Sequence, residues 1–441
     1  MKSTIGIMIP KILLPKKSVN LRKWAVVACD QFTSQPDYWK EVADYTRGSH
    51  SSFNLIFPEV YLNKGNDDEL IKKINENMKK YLDDNIFEER EGIIYVERTL
   101  KNGRIRKGLV LALDLEKYDY NKGSTSLIRA TEGTIIDRLP PRIKIRKDAL
   151  IELPHIMVLV DDPQKKTIEE LGNSVSEMEV AYDSELMLDG GSIKGYWLSE
   201  NQQEKVIINL MRLADKDLFK EKYSLEEERP VLLFAMGDGN HSLATAKAIW
   251  EDNKKAGLSM DDPSRYALVE LVNLYDDSLE FEPIHRVLFG VKGNIIEEFK
   301  NYCSSKQIDF SYQTISSVDE ILGELKKSKS DNQRIGFLKD GELGVISVSS
   351  PESQLAVGSL QKFLDGFVDA KKCDKLDYVH GEEAVQKLVQ EVEGNCGFLL
   401  PRMSKNELFK TVIIDGALPR KTFSMGHAED KRYYLEARKI K

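Results

Sequence analysis

Residues 237–242 read Gly-Asp-Gly-Asn-His-Ser and follow the apolar run Val231–Met236. The residues after them, His241–Asp252, are rich in Ala, Leu and Lys and predict a helix. A strand–loop–helix junction leaves the amides of the first helical turn without intrahelical partners. With Asn240 as the N-cap, those amides and the helix dipole would face an anion such as a phosphate. Asp238 could hold a metal ion or a substrate hydroxyl, and His241 could donate to a phosphate oxygen. A glycine turn with an asparagine cap and a packed histidine would account for the same letters. The loop is neither GxxxxGK[ST] nor a complete G-x-G-x-x-G, so those two modes of nucleotide binding lack support.

A second constellation is IRATEGTIIDRLPPRIKIRK, residues 128–147. Between Lys122 and Lys147 stand seven Lys or Arg against two acids, in a chain whose formal net charge is -8. Such a basic island would steer an anionic substrate. Arg129 and Arg138 offer planar forks for phosphate oxygens, Thr131 and Thr134 offer hydroxyls, and Glu132 is a candidate general base. A solvated basic loop is the alternative. Weaker signals are His285-Arg286 in EPIHRVL, Tyr378 and His380 ahead of a helix, and Arg420, Lys421, Thr422 and His427 in a closing loop. His50 and Asp30 stand in polar loops. No G-x-S-x-G, H-E-x-x-H or papain-like cysteine context occurs.

The elements that must position these residues belong to a chain of 441 residues, 41% hydrophobic and 31% charged, the composition of a globular protein of two or three domains. The acidic balance argues against general affinity for nucleic acid or anionic membranes. Cys29, Cys303, Cys373 and Cys396 form no CxxC pair and read as reduced thiols of a cytoplasmic protein rather than a zinc site. The opening MKSTIGIMIPKILLPKK is interrupted by Pro10 and Pro15, has no A-x-A-like cleavage site and reads as strand and loop. No stretch approaches the ~18 apolar residues of a membrane span.

Periodicity predicts a buried strand in KWAVVACD and helices in QPDYWKEVADYTR and NDDELIKKINENMKKYLDDN. EGIIYVERTL and RKGLVLALDL form a hairpin closed by Asn102-Gly103. PHIMVLVDD and RYALVELVNLYD read as strands, KKTIEELGNSVSEM and VIINLMRLADKDLF as helices. The expected fold is mixed α/β (α+β) with intertwined subdomains. Its main catalytic region spans 1–297, a small inserted α/β unit spans 298–350, and 351–441 completes the main fold.

In order, VVACDQF, SSFNLIFPE, RKGLVLALDLEKY, IRATEGTIIDR, MGDGNHSLATA, EPIHRVL and LPRKTF cover nearly the whole chain. Together they resemble the domain-of-unknown-function family numbered 1015. Arg129 and Glu132 match that family's R-P-H-E block, with Ala130 and Thr131 at the two middle places. Asp238, Gly239 and His241 match its D-G-H-H-R block, with Asn240 for the first His and Ser242 for the Arg. The H-R of EPIHRVL carries over as His285 and Arg286.

The resemblance implies a ParB/sulfiredoxin-like core with a phosphate loop, and a pyrophosphate-dependent kinase making O-phospho-L-serine from free L-serine. The missing Arg is compatible with a donor smaller than a nucleoside triphosphate. On that reading Arg129, Thr131, Thr134, Arg138, Gly239, Asn240, His241 and Ser242 hold the donor, and Mg²⁺ bridges its oxygens with Asp238 as ligand. Glu132 or Asp238 takes the hydroxyl proton, while His285 and Arg286 complete the donor site or hold the serine carboxylate. The partners implied are L-serine and pyrophosphate, with no nucleic acid or membrane, and a homo-oligomer is compatible. Two alternatives stay open: an ATP- or ADP-dependent kinase of serine or another small alcohol, and a non-catalytic ParB-like nucleotide-binding module.

Overall fold

Alternating apolar runs and amphipathic helices build a mixed α/β fold, and the computed structural model describes it over residues 4–441. The chain divides into two compact units. The first takes the chain up to Ala130, then Thr134–Leu279 and Gly426–Lys441; the second takes Thr131–Gly133 and Glu280–Met425. The sequence pattern places its divisions at 298 and 351, because the change to a helix–strand–helix rhythm begins there. The strand Phe281–Phe289 and the helix Ala356–Asp369, assigned by pattern to the main region, fall within the second unit.

The first unit is organised by a ten-stranded sheet. Its inner strands are β1 (Ile128–Arg129), β2 (Met157–Val160), β3 (Phe234–Asp238) and β4 (Tyr266–Asn273). β3 runs parallel to β1 and antiparallel to β2, and β2 runs parallel to β4. These strands read as near-continuous apolar runs because both faces are covered: Val158, Phe234 and Leu271 are buried on one face, and Leu159, Ala235 and Val272 on the other. Helix α1 (Asn240–Lys255) follows β3 and lays Leu243, Ala246 and Trp250 into the same core. The expected hairpin forms from Ile94–Thr99 and Ile105–Asp114, with Gly103 at φ 81° in its turn.

Three elements differ from their sequence pattern. KWAVVACD is buried but irregular, held by a single bridge from Val27 to Arg432; its apolar run is enclosed by packing rather than by a ladder. KKTIEELGNSVSEM yields the 3-10 turns Glu169–Glu177, kinked at Ser174, whose side chain bonds back to the Leu171 carbonyl. VIINLMRLADKDLF is divided into Glu200–Leu213 and Lys216–Tyr223, because Asp215 caps the second helix by accepting from the amides of Asp217 and Leu218.

The second unit is built on a seven-stranded antiparallel sheet. β5 (Phe281–Phe289) sits between β6 (Lys375–His380) and β7 (Cys396–Leu399). The hairpin Asn332–Lys339 with Glu342–Ser349 turns at Asp340-Gly341, both at positive φ, as a two-residue turn matching strand twist requires. Val287, Ile321, Leu338 and Leu399 lie in its core. No helix of the described residues is long and apolar enough to cross a membrane.

Candidate functional site

β3 delivers Asp238 to the edge of the first unit's core through an irregularity: pairing with β2 shifts register between Met236 and Asp238. Gly239 follows at φ 80°, and a Cβ there would stand 3.1 Å from the Ile156 backbone, so both conformation and space call for glycine. The helix starts one residue earlier than the pattern implies. Gly239 is its N-cap, Asn240 is the first helical residue, and the expected Asn240 cap bond is absent because the left-handed glycine makes the turn. The Asn240 Oδ1 is buried without a partner.

Around this loop the first unit gathers polar side chains from four segments. The Asp238 Oδ1 accepts from the Gly239 amide at 2.9 Å, and its Oδ2 lies 3.3 Å from the Lys431 ammonium. Ser242 Oγ is 2.8 Å from His155 Nε2, and the His155 ring packs on Tyr433 at 4.6 Å between centroids. Burial lowers the His155 pKa, opposed by the carboxylates of Asp30 and Asp238 that face it. Asp30 is pushed up by burial, yet His155, its 2.9 Å bond from Gln31, Lys431 and Arg142 together hold it below the ordinary carboxylate value. Burial, helped by Asp30, pushes the Cys29 thiol up to about 12, so it stays protonated.

An open cavity of ≈ 130 Å³ borders this cluster, lined by Cys29, His155, Ser242 and Tyr433, the Glu59–Arg142 ion pair and an apolar wall including Ile56, Phe57 and Leu153. The C-terminal segment completes the site. The Ala28 amide bonds the Lys431 carbonyl at 2.8 Å, which sets Lys431 and Tyr433 against the Cys29–Asp30 turn.

The other predicted residues lie as follows. Arg129, 5% exposed, donates to the carbonyls of Ser126, Pro230 and Val231, and burial lowers its pKa to about 10. Its fork is committed to the backbone that carries β3. Arg138 is exposed at the start of the helix Leu139–Arg146, and the Thr134 hydroxyl is buried without a partner. His241 takes the second helical position, its carbonyl accepting from Thr245 at 2.7 Å.

Thr131, Glu132, His285 and Arg286 belong to the second unit. There Thr131 is buried, its carbonyl accepting from the Leu418 amide at 2.7 Å. Burial pushes the Glu132 pKa up, against hydrogen bonds from the Lys421 and Thr422 backbone and the charges of Lys421 and Arg286. His285 Nδ1 accepts from the Leu400 amide at 3.1 Å, and burial lowers its pKa to about 4. Arg286 donates to Gln361 at 2.8 Å and to the Ile284 carbonyl at 2.6 Å, over the Tyr378 ring.

Sequence reasoning missed His155, Lys431, Glu59 and the Cys29–Asp30 turn as partners of the loop. The polar Cys-Asp-Gln after an apolar run was the one visible signal. Among the described residues no group of three or more His, Cys, Asp or Glu side chains assembles to hold a metal ion unaided.

A family model described as a protein of unknown function (DUF1015) matches residues 12–367. No curated protein matches the chain. Among solved structures, a conserved hypothetical protein from Pyrococcus furiosus is similar at 10% identity and TM-score 0.36, over 75% of this chain and 95% of that one. A free serine kinase in complex with AMP is similar at 11% identity and TM-score 0.37, over 75% and 91% of the two chains. SbnI with C-terminal truncation from Staphylococcus aureus is similar at 9% identity and TM-score 0.33, over 72% and 82%.

Proposed function

We propose that this protein, which belongs to the DUF1015 family, is a phosphotransferase that moves a phosphoryl group from pyrophosphate to the hydroxyl of free L-serine. The observation that carries the reading is the end of β3. There Asp238, a left-handed Gly239 and the start of α1 meet Lys431 and the His155–Ser242 pair beside a cavity. Phosphoryl transfer needs positioning and charge neutralisation more than covalent help, and these groups are of the kind that provide both. The ParB/sulfiredoxin-like assignment of this core is part of the same proposal.

The donor's oxygens would take the helix start, His241, Ser242 and Lys431. No arginine stands in the loop, which suits a short donor over a nucleoside triphosphate. Asp238 would hold Mg²⁺, whose charge would offset that of the phosphates. Arg129 positions β3 by tying its leading strand to the Pro230 and Val231 carbonyls. Asp238 is engaged by an amide and an ammonium, whereas burial raises Glu132 toward the pH at which a carboxylate base works best. Glu132 therefore has the property that a carboxylate base needs. L-serine as acceptor rests on the resemblance of the ordered sequence blocks.

Phosphorus NMR with Mg²⁺, L-serine and either pyrophosphate, ATP or ADP tests this. A phosphomonoester resonance with pyrophosphate is expected. Ester with ATP or ADP only would replace the donor, and no ester with any donor would overturn the kinase reading.

A further inference from the structure

A serine hydroxyl at hydrogen-bond distance from a histidine is an arrangement by which enzymes activate a nucleophile. Ser242 Oγ and His155 Nε2 are 2.8 Å apart, and both residues line the cavity. The His155 Nδ1 is buried without a partner, so Ser242 holds the ring's one hydrogen bond. Tyr433 packs on the ring at 4.6 Å and limits its rotation. Ser242 is anchored as well: its amide bonds the Gly239 carbonyl at 3.0 Å, which places its hydroxyl one turn from Asp238.

We infer that Ser242 is a nucleophile that accepts the phosphoryl group from the donor before the acceptor does, with His155 as its general base. The inference rests on the reading that a phosphoryl donor docks on this loop, and it goes further by making the transfer a double displacement.

In the first half, Ser242 Oγ attacks one phosphorus of pyrophosphate and forms an O–P bond. The bridging P–O bond breaks, its electron pair leaves on orthophosphate, and the hydroxyl proton passes to His155 Nε2. In the second half, the acceptor oxygen attacks the Ser242 phosphoryl phosphorus and the Oγ–P bond breaks. His155 returns its proton to Oγ, and the acceptor's proton goes to the carboxylate base. No oxidant, reductant or further reactant is needed.

Two measurements on the full-length protein test it. The first incubates it with Mg²⁺ and pyrophosphate without acceptor, quenches in acid and records the intact mass. The expected result is a gain of one phosphoryl group, mapped to the peptide holding Ser242, absent in Ser242→Ala, formed at least tenfold more slowly in His155→Asn, and lost on adding L-serine. The second follows isotope exchange. Labelled orthophosphate should enter pyrophosphate in the wild-type protein with no acceptor present, a readout that needs no variant.

Phosphoserine product without covalent label and without exchange overturns the double displacement and leaves the kinase reading standing. Phosphorylation at a residue other than Ser242 overturns the assignment of the nucleophile. Absence of product, label and exchange with every donor overturns both readings.

Discussion

The two units use the same residue types to different ends. In the second, His285 accepts from the Leu400 amide and Arg286 holds the Ile284 and Arg420 carbonyls, so both side chains are tied to their own backbone. In the first, His155 bonds Ser242, Lys431 pairs with Asp238, and these residues border open space. A side chain that completes a backbone hydrogen bond is committed to the fold, because removing it leaves a buried group unsatisfied. Side chains bonded to one another beside a cavity can exchange those partners for a ligand. Each unit also has exceptions. Arg129, Arg98 and Arg438 of the first are tied to carbonyls, and Glu132 of the second is a half-buried acid whose pKa is raised.

The largest expected effect comes from the first unit's acid. Asp238→Asn removes the charge opposite Lys431 while keeping the amide contact. Turnover should fall by roughly 10²–10⁴-fold, with little change in the denaturation midpoint. A stability loss with turnover retained would break the comparison, because Asp238 would then be structural. Glu132→Gln belongs beside it. A comparable loss of turnover is expected, and in the parent protein the acid limb of the pH–rate profile should lie above the ordinary Glu value, since burial raises this carboxyl. A limb at the ordinary value would remove Glu132 as the base.

A buried acid of the first unit sharpens the contrast through pH. Glu436 is fully buried, accepts from the Tyr182 hydroxyl at 2.6 Å, and burial raises its pKa from 4.5 to about 7. The folded protein therefore holds this proton more tightly than the unfolded chain. The stabilisation is fully present below about pH 4.5 and is lost as pH rises through about 7. Glu436→Gln should remove that decline, worth at most about 3 kcal/mol, and urea melts from pH 4 to 8 would read it. Parallel profiles for parent and variant would show that Glu436 titrates alike in the folded and unfolded chain.

In the second unit, His285→Leu leaves the Leu400 amide buried without an acceptor. The cost should be about 1–3 kcal/mol, read in the denaturation midpoint. Loss of activity with an unchanged midpoint would move His285 from the fold to the chemistry.

How much of this was legible beforehand varies with the kind of signal. The Asn102-Gly103 hairpin, the two helices before it in sequence and the GDGNHS loop were readable because turn chemistry and periodicity are local. The role of Arg129 was not, since a fork for phosphate and a fork for three carbonyls are the same letters, and only the position of Pro230 and Val231 decides between them. His155 was hidden for a related reason: PHIMVLVDD reads as a buried strand, and the histidine gains meaning only when α1 brings Ser242 to it. Lys431 and Tyr433 lie in a tail whose return to Ala28 is long-range pairing. KWAVVACD shows the converse, an apolar run whose burial was legible while its lack of a ladder was not.

The smallest expected effect tests whether the loop backbone, and not its side chains alone, sets the site. Gly239→Ala places a methyl at φ 80°, where a non-glycine residue costs about 1 kcal/mol, and 3.1 Å from Ile156 Cα and Cγ1. Ile156 adjoins His155 in sequence, so relief of that contact shifts the histidine's backbone and loosens its bond to Ser242. The variant should lose about 1–2 kcal/mol of stability and raise the donor KM severalfold. A stability loss with unchanged KM would mean that the strand end is rigid enough to hold His155 in place. The difference between the two units would then lie in their side chains alone.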